Sequence, residues 1–434
     1  MWKPLKHWSK QTGHLWLIAS SIATAGIIGN ALGVFNLLEW AVRDEFFRWR
    51  PQENRDEHIV VVTIDEPDIQ ALGDWPITDE SLARLIEINR AQYHRVIGLD
   101  LYRDLPEEPG YKDLVEIFQT TPDLIGIEKI TGKRVAPPPV LNELNQVALA
   151  DLVLDKDRHL RRILLSAADV QENNTLKTGL ATQVALNYLK AEGIELEQPN
   201  SDQQEVRLGN VTFRPLQHGA AGYSSDDVGG YQILMNWRGP KHQFNEITMS
   251  EVLSDNIPPD LMRDRIVYIG SPAASTNDFF ATPYNSGWLS AQEPMAGIFI
   301  HANITSQLIE SALGDRALMQ GVSIELQWSW ILLWVLLSTV GNWKLEIYNH
   351  QEGQTRYWFL RPLTVTSLAA IILMGGGYLA FLRGFIIPLI APLFALCTSA
   401  IATTSLFKKQ RLHLTNKQLE FANHQLLEYA TLLE

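Results

Sequence analysis

Hydrophobic and polar positions are patterned on two length scales along the chain. On the longer scale, four stretches contain no charged residue; they cover residues 15–38, 326–343, 362–382 and 384–407. A helix rises ~1.5 Å per residue and the hydrocarbon core of a bilayer is ~30 Å thick, so roughly 20 apolar residues cross it. The pattern therefore predicts a region of four transmembrane helices.

The first stretch has an alternative interpretation as a cleavable signal peptide, because Lys3, Lys6 and Lys10 precede it. The apolar part of a signal peptide is only about 7–15 residues long. The stretch 15–38 is longer than that, which favours an uncleaved membrane anchor.

Lysine and arginine near the predicted spans indicate the orientation. They concentrate in the N-terminal segment 1–14, in the loop 344–361 between the second and third spans, and in the segment 408–434 after the fourth. Short basic segments remain on the cytoplasmic side. We therefore expect a multi-pass protein of the inner (plasma) membrane, with both termini in the cytoplasm and residues 43–321 outside.

On the shorter scale, residues 43–321 alternate between short apolar runs and amphipathic stretches, which is typical of an α/β domain. The segments 58–65 and 95–100 are predicted to be buried strands, and the helix 79–91 between them completes a βαβ unit. Further strands are predicted at 123–130, 160–166, 231–237 and 266–270, and further helices at 178–191 and 296–313. The polar segments 193–204 and 216–230 are predicted to be surface insertions.

Charge is distributed unevenly between these regions. Residues 43–321 contain 25 Lys/Arg and 42 Asp/Glu, whereas the rest of the chain contains 11 and 7. An acidic domain without a basic patch does not bind nucleic acid, because such binding depends on basic side chains at the phosphates. The single cysteine, Cys397, excludes a disulfide or a multi-thiolate metal site within one chain.

The C-terminal segment 408–434 has leucine at every seventh position, at Leu412, Leu419, Leu426 and Leu433. This spacing is typical of a coiled coil. We therefore expect a short cytoplasmic transmitter helix and a homodimer.

Candidate site residues in the outer domain are acids at strand ends. Asp65 and Asp100 end two predicted strands, and ligands of open α/β sheets bind at the carboxyl ends of strands. Asp278 and His301 are expected to join them in a polar ligand pocket, with Trp75 as an aromatic wall. The alternatives are that the acids cap helices, that His301 is a core histidine and that Trp75 packs in a turn.

No common catalytic motif is present. The sequence lacks a nucleophile elbow, a phosphate-binding glycine loop and a His-Glu-x-x-His pair. The pair Asp155 and Asp157 lacks the glycine and the glutamate of a calcium loop and is interpreted as a turn. We expect no catalytic residue, metal or cofactor, although an extracytoplasmic enzyme stays open as an alternative.

Several ordered local patterns between residues 45 and 315 resemble one family of extracellular sensory domains, the second type of CHASE domain. They are Val62-Thr-Ile-Asp65 with Leu72-Gly-Asp-Trp75-Pro76, Val96-Ile-Gly-Leu-Asp100, Asp155-Lys-Asp-Arg158 with Leu160-Arg-Arg162, Leu234-Met-Asn-Trp-Arg238-Gly239, Arg265-Ile-Val-Tyr-Ile-Gly270, Asp278-Phe-Phe-Ala-Thr-Pro283, Ala296-Gly297 and His301-Ala302-Asn303. The family has a similar arrangement of one span before the domain and about three after it. The resemblance implies a bacterial transmembrane receptor with a cytoplasmic kinase or cyclase output.

The expected function is therefore a signal receptor that detects an unknown extracytoplasmic ligand. Only 27 residues follow the fourth span, so the output module is absent or supplied by a partner. The main alternative is an envelope-anchored binding or scaffold protein without signal transmission. A transporter is disfavoured, because its spans should contain ionisable residues that mark a path.

Overall fold

The computed structural model describes residues 3–73, 75–200, 204–224, 228–285, 294–351 and 360–433. Its helices are α1 (Lys3–Ala31), α2 (Asn36–Trp49), α3 (Glu66–Leu72), α4 (Asp79–Ala91), α5 (Tyr111–Thr120), α6 (Pro139–Glu143), α7 (Leu180–Ala191), α8 (Met249–Leu253), α9 (Gly297–Leu313), α10 (Ile324–Gln351), α11 (Leu360–Leu382) and α12 (Ile390–Leu433). Its strands are β1 (Ile59–Thr63), β2 (Val96–Asp100), β3 (Leu124–Glu128), β4 (Val147–Leu149), β5 (Arg162–Asp169), β6 (Thr175–Thr178), β7 (Leu196–Asn200), β8 (Glu205–Leu208), β9 (Val211–Phe213), β10 (Tyr231–Leu234), β11 (Asn245–Thr248), β12 (Ile266–Gly270), β13 (Phe279–Phe280), β14 (Met295–Ala296), β15 (Gln320–Gly321) and β16 (Phe385–Ile386).

The chain forms two compact units. The α/β unit comprises the described residues of Ala41–His218 and Asp226–Gln320. The helical unit comprises those of Met1–Trp40, Gly219–Ser225 and Gly321–Glu434. Helix α2 is continuous and contributes residues to both.

The α/β unit is built on a six-stranded sheet in the order β11-β1-β12-β2-β3-β4. Every strand pair in this sheet is parallel. Strands β1, β3 and β12 are buried along their whole length, because helices cover both faces of the sheet. The predicted parallel core is confirmed, with a third strand, β12, inserted between β1 and β2.

Alternate residues of each strand point to opposite faces of the sheet. Val60, Val62 and Val267 point to the face covered by α4, α5, α6 and α8, where they join the main hydrophobic core. Tyr268 points to the other face, where its hydroxyl lies 2.6 Å from Thr305 Oγ1 of α9. Glycine is required at position 98, because a Cβ there would lie 2.5 Å from the Tyr268 ring.

Two three-stranded antiparallel sheets accompany the main one, in the orders β10-β5-β6 and β7-β8-β9. The segment 193–204, predicted to be a surface insertion, contributes β7 to the second of these sheets, and residues 196–199 of that strand are exposed. The prediction for 216–230 is wrong in part: Tyr223 is fully buried and its ring lies 5.3 Å from that of Trp40. The other predicted strands and helices of the domain are present, with ends shifted by a few residues.

The helical unit packs α1, α10 and α12 together through small residues. Ala19 and Ala23 of α1 lie with Ile331 and Val335 of α10 and with Ala391 and Ala395 of α12 in one buried cluster. Small side chains let helices approach closely, as is usual in membrane bundles. Large apolar side chains such as Leu332, Leu333 and Ile372 remain exposed, as expected for lipid-facing positions.

By length and composition, three helices can cross a membrane: the segments Ile324–Ile347, Pro362–Leu382 and Ile390–Leu427. The segments Leu15–Ala31 and Asn36–Trp49 qualify together as a fourth, although they are bent by 77° at the break between them. The stretch 15–38 is therefore not one uninterrupted helix. Gly33 lies in this break with φ of +73°, a left-handed conformation that favours glycine.

The fourth apolar stretch also differs from the prediction. Its helix begins at Ile390 and not at Gly384, so Pro388 precedes the helix and Pro392 lies in its first turn. This 44-residue helix continues without a break to Leu433. The predicted span and the predicted transmitter segment are thus parts of one helix.

Candidate ligand pocket

A cavity of about 370 Å³ lies at the carboxyl end of the main sheet. Its wall includes residues at the ends of four parallel strands: Asp100 ends β2, Lys129 follows β3, Ala150 follows β4 and Ser271 follows β12. The other lining residues are Trp75, Leu101, Tyr102, Ile127, Thr131, Leu152, Leu154, Thr276, Asn277, Asp278, Phe280, Gly297 and His301. Four of the five predicted site residues, Trp75, Asp100, Asp278 and His301, therefore line one cavity.

Asp65 is the exception, and the expectation that it lines the pocket is wrong. It is the N-cap of α3, where its carboxylate accepts a hydrogen bond of 2.9 Å from the Asp68 amide. The Asp68 side chain in turn accepts one from the Asp65 amide. Asp65 therefore caps a helix, as the alternative interpretation held.

Asp278 sits against the N-terminus of α9. The Gly297 amide donates to the Asp278 carbonyl at 3.1 Å, and a Cβ on Gly297 would lie 2.2 Å from Asp278 Oδ2. Glycine at 297 therefore lets the carboxylate approach the helix backbone, where the partial positive charge of a helix N-terminus favours it.

His301 lies one turn further along α9, on the same side as Gly297. The side chain is 4% exposed, and its Nε2 lies 4.0 Å from Asp100 Oδ1. Its Nδ1 atom is buried without a hydrogen-bond partner among the described residues. A buried polar atom without a partner costs free energy, so an imidazole that faces a cavity in this way is a candidate ligand contact.

Burial controls the ionisation of the three groups. It raises the pKa of Asp100 to about 7 and, together with the negative charge of Asp100, raises the pKa of Asp278 to about 6. Burial lowers the pKa of His301 to about 4, so the imidazole is neutral near pH 7. All three shifts favour the uncharged forms, as expected of groups removed from water.

The remaining pocket residues were not predicted from the sequence. Lys129 brings a positive charge, and Tyr102 and Phe280 add aromatic surface to that of Trp75. Burial raises the pKa of Tyr102, so its phenol is neutral. Lys129 lies at the carboxyl end of the predicted strand 123–130, as Asp100 lies at the end of the strand 95–100, and the same rule applied to that strand would have identified it.

Nothing in this pocket has the spacing of a metal site. Across the described parts of the chain, no three His, Cys, Asp or Glu side chains are grouped closely enough to hold a metal ion. The pocket offers carboxyl groups, an ammonium and aromatic surface, which suits an organic ligand.

A buried ionic cluster lies beside the pocket, in the segment interpreted from the sequence as a turn. Arg161 donates to both carboxylate oxygens of Asp44 on α2, at 2.8 and 2.6 Å, and to Asp155 at 3.0 Å and Asp157 at 2.9 Å. Arg162 Nε also donates to Asp155, at 2.8 Å. The turn therefore fastens helix α2 to the sheet.

The same segment contacts the wall of the pocket. The Leu160 amide donates to the Ala281 carbonyl at 2.8 Å, and Ala281 directly follows the pocket residue Phe280. Arg48 of α2 donates to the carbonyl of Pro283, two residues further on. Helix α2 is thus linked to the strip 278–283 directly through Arg48 and indirectly through Arg161, whose neighbour Leu160 bonds Ala281.

Comparison with known proteins identifies the family. The model of the CHASE2 domain matches residues 18–340. The chain belongs to the CHASE2 family. CHASE2 is an extracellular sensory domain of signalling proteins, and the match includes every residue of the pocket and of the ionic cluster. No curated protein and no solved structure matches the chain.

The CHASE2 pocket is predicted to depend on the glycine at 297. Gly297→Ala places a methyl group on the Asp278 carboxylate, so we expect a loss of about 1–3 kcal/mol of stability from the forced displacement. The measurement is the Tm of the purified full-length protein in detergent.

The matched control for this substitution is Gly341→Ala in α10, where a Cβ meets no atom within 4 Å. We expect that variant to retain the Tm of the parent protein. A Gly297→Ala protein of unchanged stability would show that the Asp278 carboxylate does not need its place at α9.

Proposed function

We propose that the protein is a transmembrane receptor whose α/β domain detects an extracytoplasmic stimulus and whose membrane helices pass it to a cytoplasmic output. Membership of a sensory family and three candidate membrane helices support this. The observation that carries the proposal is helix α2, which makes two sets of contacts five residues apart, at Asp44 and Glu39.

Asp44 is the contact in the α/β unit, where Arg161 holds it beside the pocket wall. Glu39 is the contact in the helical unit. Its carboxylate accepts hydrogen bonds from the Leu389 and Ile390 amides, at 2.9 and 2.7 Å, at the N-terminus of α12. A carboxylate at that position compensates free amides and the helix dipole.

In this proposal, helix α2 transfers the signal because it moves as one rigid element. A ligand that repositions the strip from Asp278 to Pro283 shifts α2 through Arg161 and Arg48. Because α2 is one helix, the shift reaches Glu39 and moves the N-terminus of α12. Small displacements of packed helices are a known means of switching between two arrangements.

In the proposed topology, four spans cross the plasma membrane, and the first consists of α1 together with the start of α2, up to residue 38. Both termini are cytoplasmic and the α/β unit is outside, as the basic segments indicate. The cytoplasmic part of α12 pairs with that of a second copy through Leu412, Leu419 and Leu426, whose side chains are exposed. The output is a kinase or cyclase module that lies on a partner or beyond residue 434.

A chimaera tests this proposal. The catalytic part of a histidine kinase is fused after residue 434 in the heptad register of Leu412, Leu419 and Leu426, and autophosphorylation is measured in membrane vesicles. We expect Asp100→Asn in the pocket and Glu39→Ala at the α2 contact each to change the rate at least about fivefold, equivalent to about 1 kcal/mol of coupling.

Asp65→Asn is the matched control for Asp100→Asn, since asparagine also caps helices well and Asp65 lies outside the pocket. If the autophosphorylation rate is the same in the parent chimaera and in both test variants, while all three proteins insert and remain folded, signal transmission is contradicted. That result would favour an anchored binding protein or scaffold.

A further inference from the structure

The charged residues that line the pocket determine which ligand charge it favours. Asp100 and Asp278 contribute two carboxyl groups and Lys129 contributes one ammonium, while His301 and Tyr102 are neutral near pH 7. With both carboxyls ionised, the lining has a net charge of −1. A monocation would balance that charge, whereas an anion would add to it.

The environment of Asp100 also favours a cationic ligand. Its side chain is 9% exposed, and its Oδ1 atom lies 4.0 Å from Nε2 of the His301 imidazole. Elsewhere in this domain, Arg161 pairs with two buried acids, Asp44 and Asp155. Asp100 forms no such pair with any residue that the structure describes.

The shape and surface of the cavity limit the ligand further. A volume of about 370 Å³ holds a small molecule, and the lining includes the aromatic residues Trp75, Tyr102 and Phe280. Aromatic faces attract organic cations. The buried Nδ1 of His301 has no partner among the described residues and gives the site one more polar contact.

We propose that the pocket binds a small organic monoamine, whose protonated amino group lies between Asp100 and Asp278 and whose body packs on Trp75, Tyr102 and Phe280. This ligand class rests on the proposed receptor function and specifies its stimulus. Binding of the cation stabilises the ionised Asp100, so a carboxyl that is partly protonated in the empty pocket releases its proton to solvent.

Matched amine and alcohol pairs test the proposal on the full-length protein in detergent. The probes are tyramine and its alcohol analogue 4-(2-hydroxyethyl)phenol, glucosamine and glucose, and ethanolamine and ethylene glycol. We expect at least one amine to raise the Tm by several degrees in a saturable manner while its alcohol partner does not. Calorimetry of that amine in two buffers of different ionisation enthalpy should show proton release near pH 7.

Variants locate the effect. The stabilisation by the amine should be lost in Asp100→Asn and in Asp278→Asn and retained in Asp65→Asn, the acid outside the pocket. Circular dichroism of the unliganded variants verifies that they are folded, so that loss of binding is assigned to the missing carboxylate.

Three outcomes would contradict the proposal of a monoamine ligand. An alcohol could stabilise the protein as well as its amine partner does, or the effect of the amine could persist in both pocket variants. The third is that none of the three amines stabilises the protein. None of these outcomes contradicts the receptor proposal, because the kinase chimaera tests that proposal separately and without a ligand. Conversely, an insensitive chimaera together with a saturable amine response would leave a binding protein that does not signal.

Discussion

Replacing Arg161 with alanine is expected to lower the free energy of unfolding of the α/β unit by about 3–5 kcal/mol, because it leaves two buried carboxylates without their shared partner. In a domain of this size that corresponds to a fall in Tm of roughly 6–10 °C. Scanning calorimetry of the full-length protein in detergent measures the loss.

The size of this effect follows from burial. The side chains of Arg161, Asp44 and Asp155 are only 3%, 4% and 0% exposed. Water therefore cannot solvate the two acids once the guanidinium is gone, although Arg162 still contacts Asp155. Asp44, which Arg161 binds through two parallel hydrogen bonds, is expected to contribute most of the loss.

Arg263→Ala provides the matched control. Arg263 pairs with Asp260, but the two side chains are 51% and 60% exposed, and such surface pairs contribute at most about 1 kcal/mol. We expect that variant to keep nearly the parent Tm. If Arg161→Ala melted at the same temperature as Arg263→Ala, α2 would be held by other contacts, and the proposed route from pocket to membrane helices would lose its first link.

The core of the fold was predictable from the sequence because its elements have strong local patterns. The runs at β1 and β12 are short and β-branched, and Thr78 caps α4, whose apolar residues recur at helical spacing. The order of the strands was not predictable. Placing β12 between β1 and β2 depends on contacts between segments about 170 residues or more apart, which local periodicity does not encode.

Asp65 and Asp100 show why equal sequence signals gave different outcomes. Both acids lie at the carboxyl end of a buried strand, but α3 begins immediately after Asp65, so that side chain turns to cap the helix. After Asp100 the chain continues without a helix as far as Gly110, so there is no helix start to cap. The spacing Asp65-x-x-Asp68 was visible in the sequence and is the pattern of a reciprocal cap.

The ionic cluster and the break in the first apolar stretch could not be derived with the same rules. Arg161 and Asp44 are 117 residues apart, and their pairing depends on the tertiary fold. A charge-free stretch predicts burial in an apolar environment but does not fix the backbone, and a single Gly33 is a weak signal for a turn. Both features involve α1 or α2, so the contacts on which the proposed signalling route rests could not be predicted from the sequence.

The second large effect concerns pH. Asp100→Asn is expected to stabilise the ligand-free protein at neutral and alkaline pH relative to the parent, and to do so much less in acid. Burial raises the pKa of Asp100 from 3.8 to about 7, so folding favours the protonated acid. The stability that this proton contributes is full below about pH 4 and is lost as the pH rises to about 7. Asparagine cannot ionise and avoids the loss.

The free energy of unfolding of Asp100→Asn minus that of the parent should increase by about 3 kcal/mol between about pH 4.5 and about pH 8. One pKa unit corresponds to about 1.36 kcal/mol. His301 contributes with the opposite sign, because its pKa is lowered to about 4 and its stabilisation grows as the pH rises toward 6.5. Comparing variant with parent at each pH removes most of that contribution. The measurement is the Tm of both proteins across this range.

Asp65→Asn is the control substitution, since it preserves a helix cap and lies outside the cavity. A constant difference between Asp100→Asn and the parent from acid to alkali would mean that Asp100 ionises freely in the folded protein. The carboxyl would then already have a counter-charge, and the cavity would have no unbalanced charge with which to bind a cation. The expected increase of the stability difference with pH would instead establish that ionisation of Asp100 destabilises the ligand-free protein. A bound monoamine would supply the counter-charge that this carboxylate lacks.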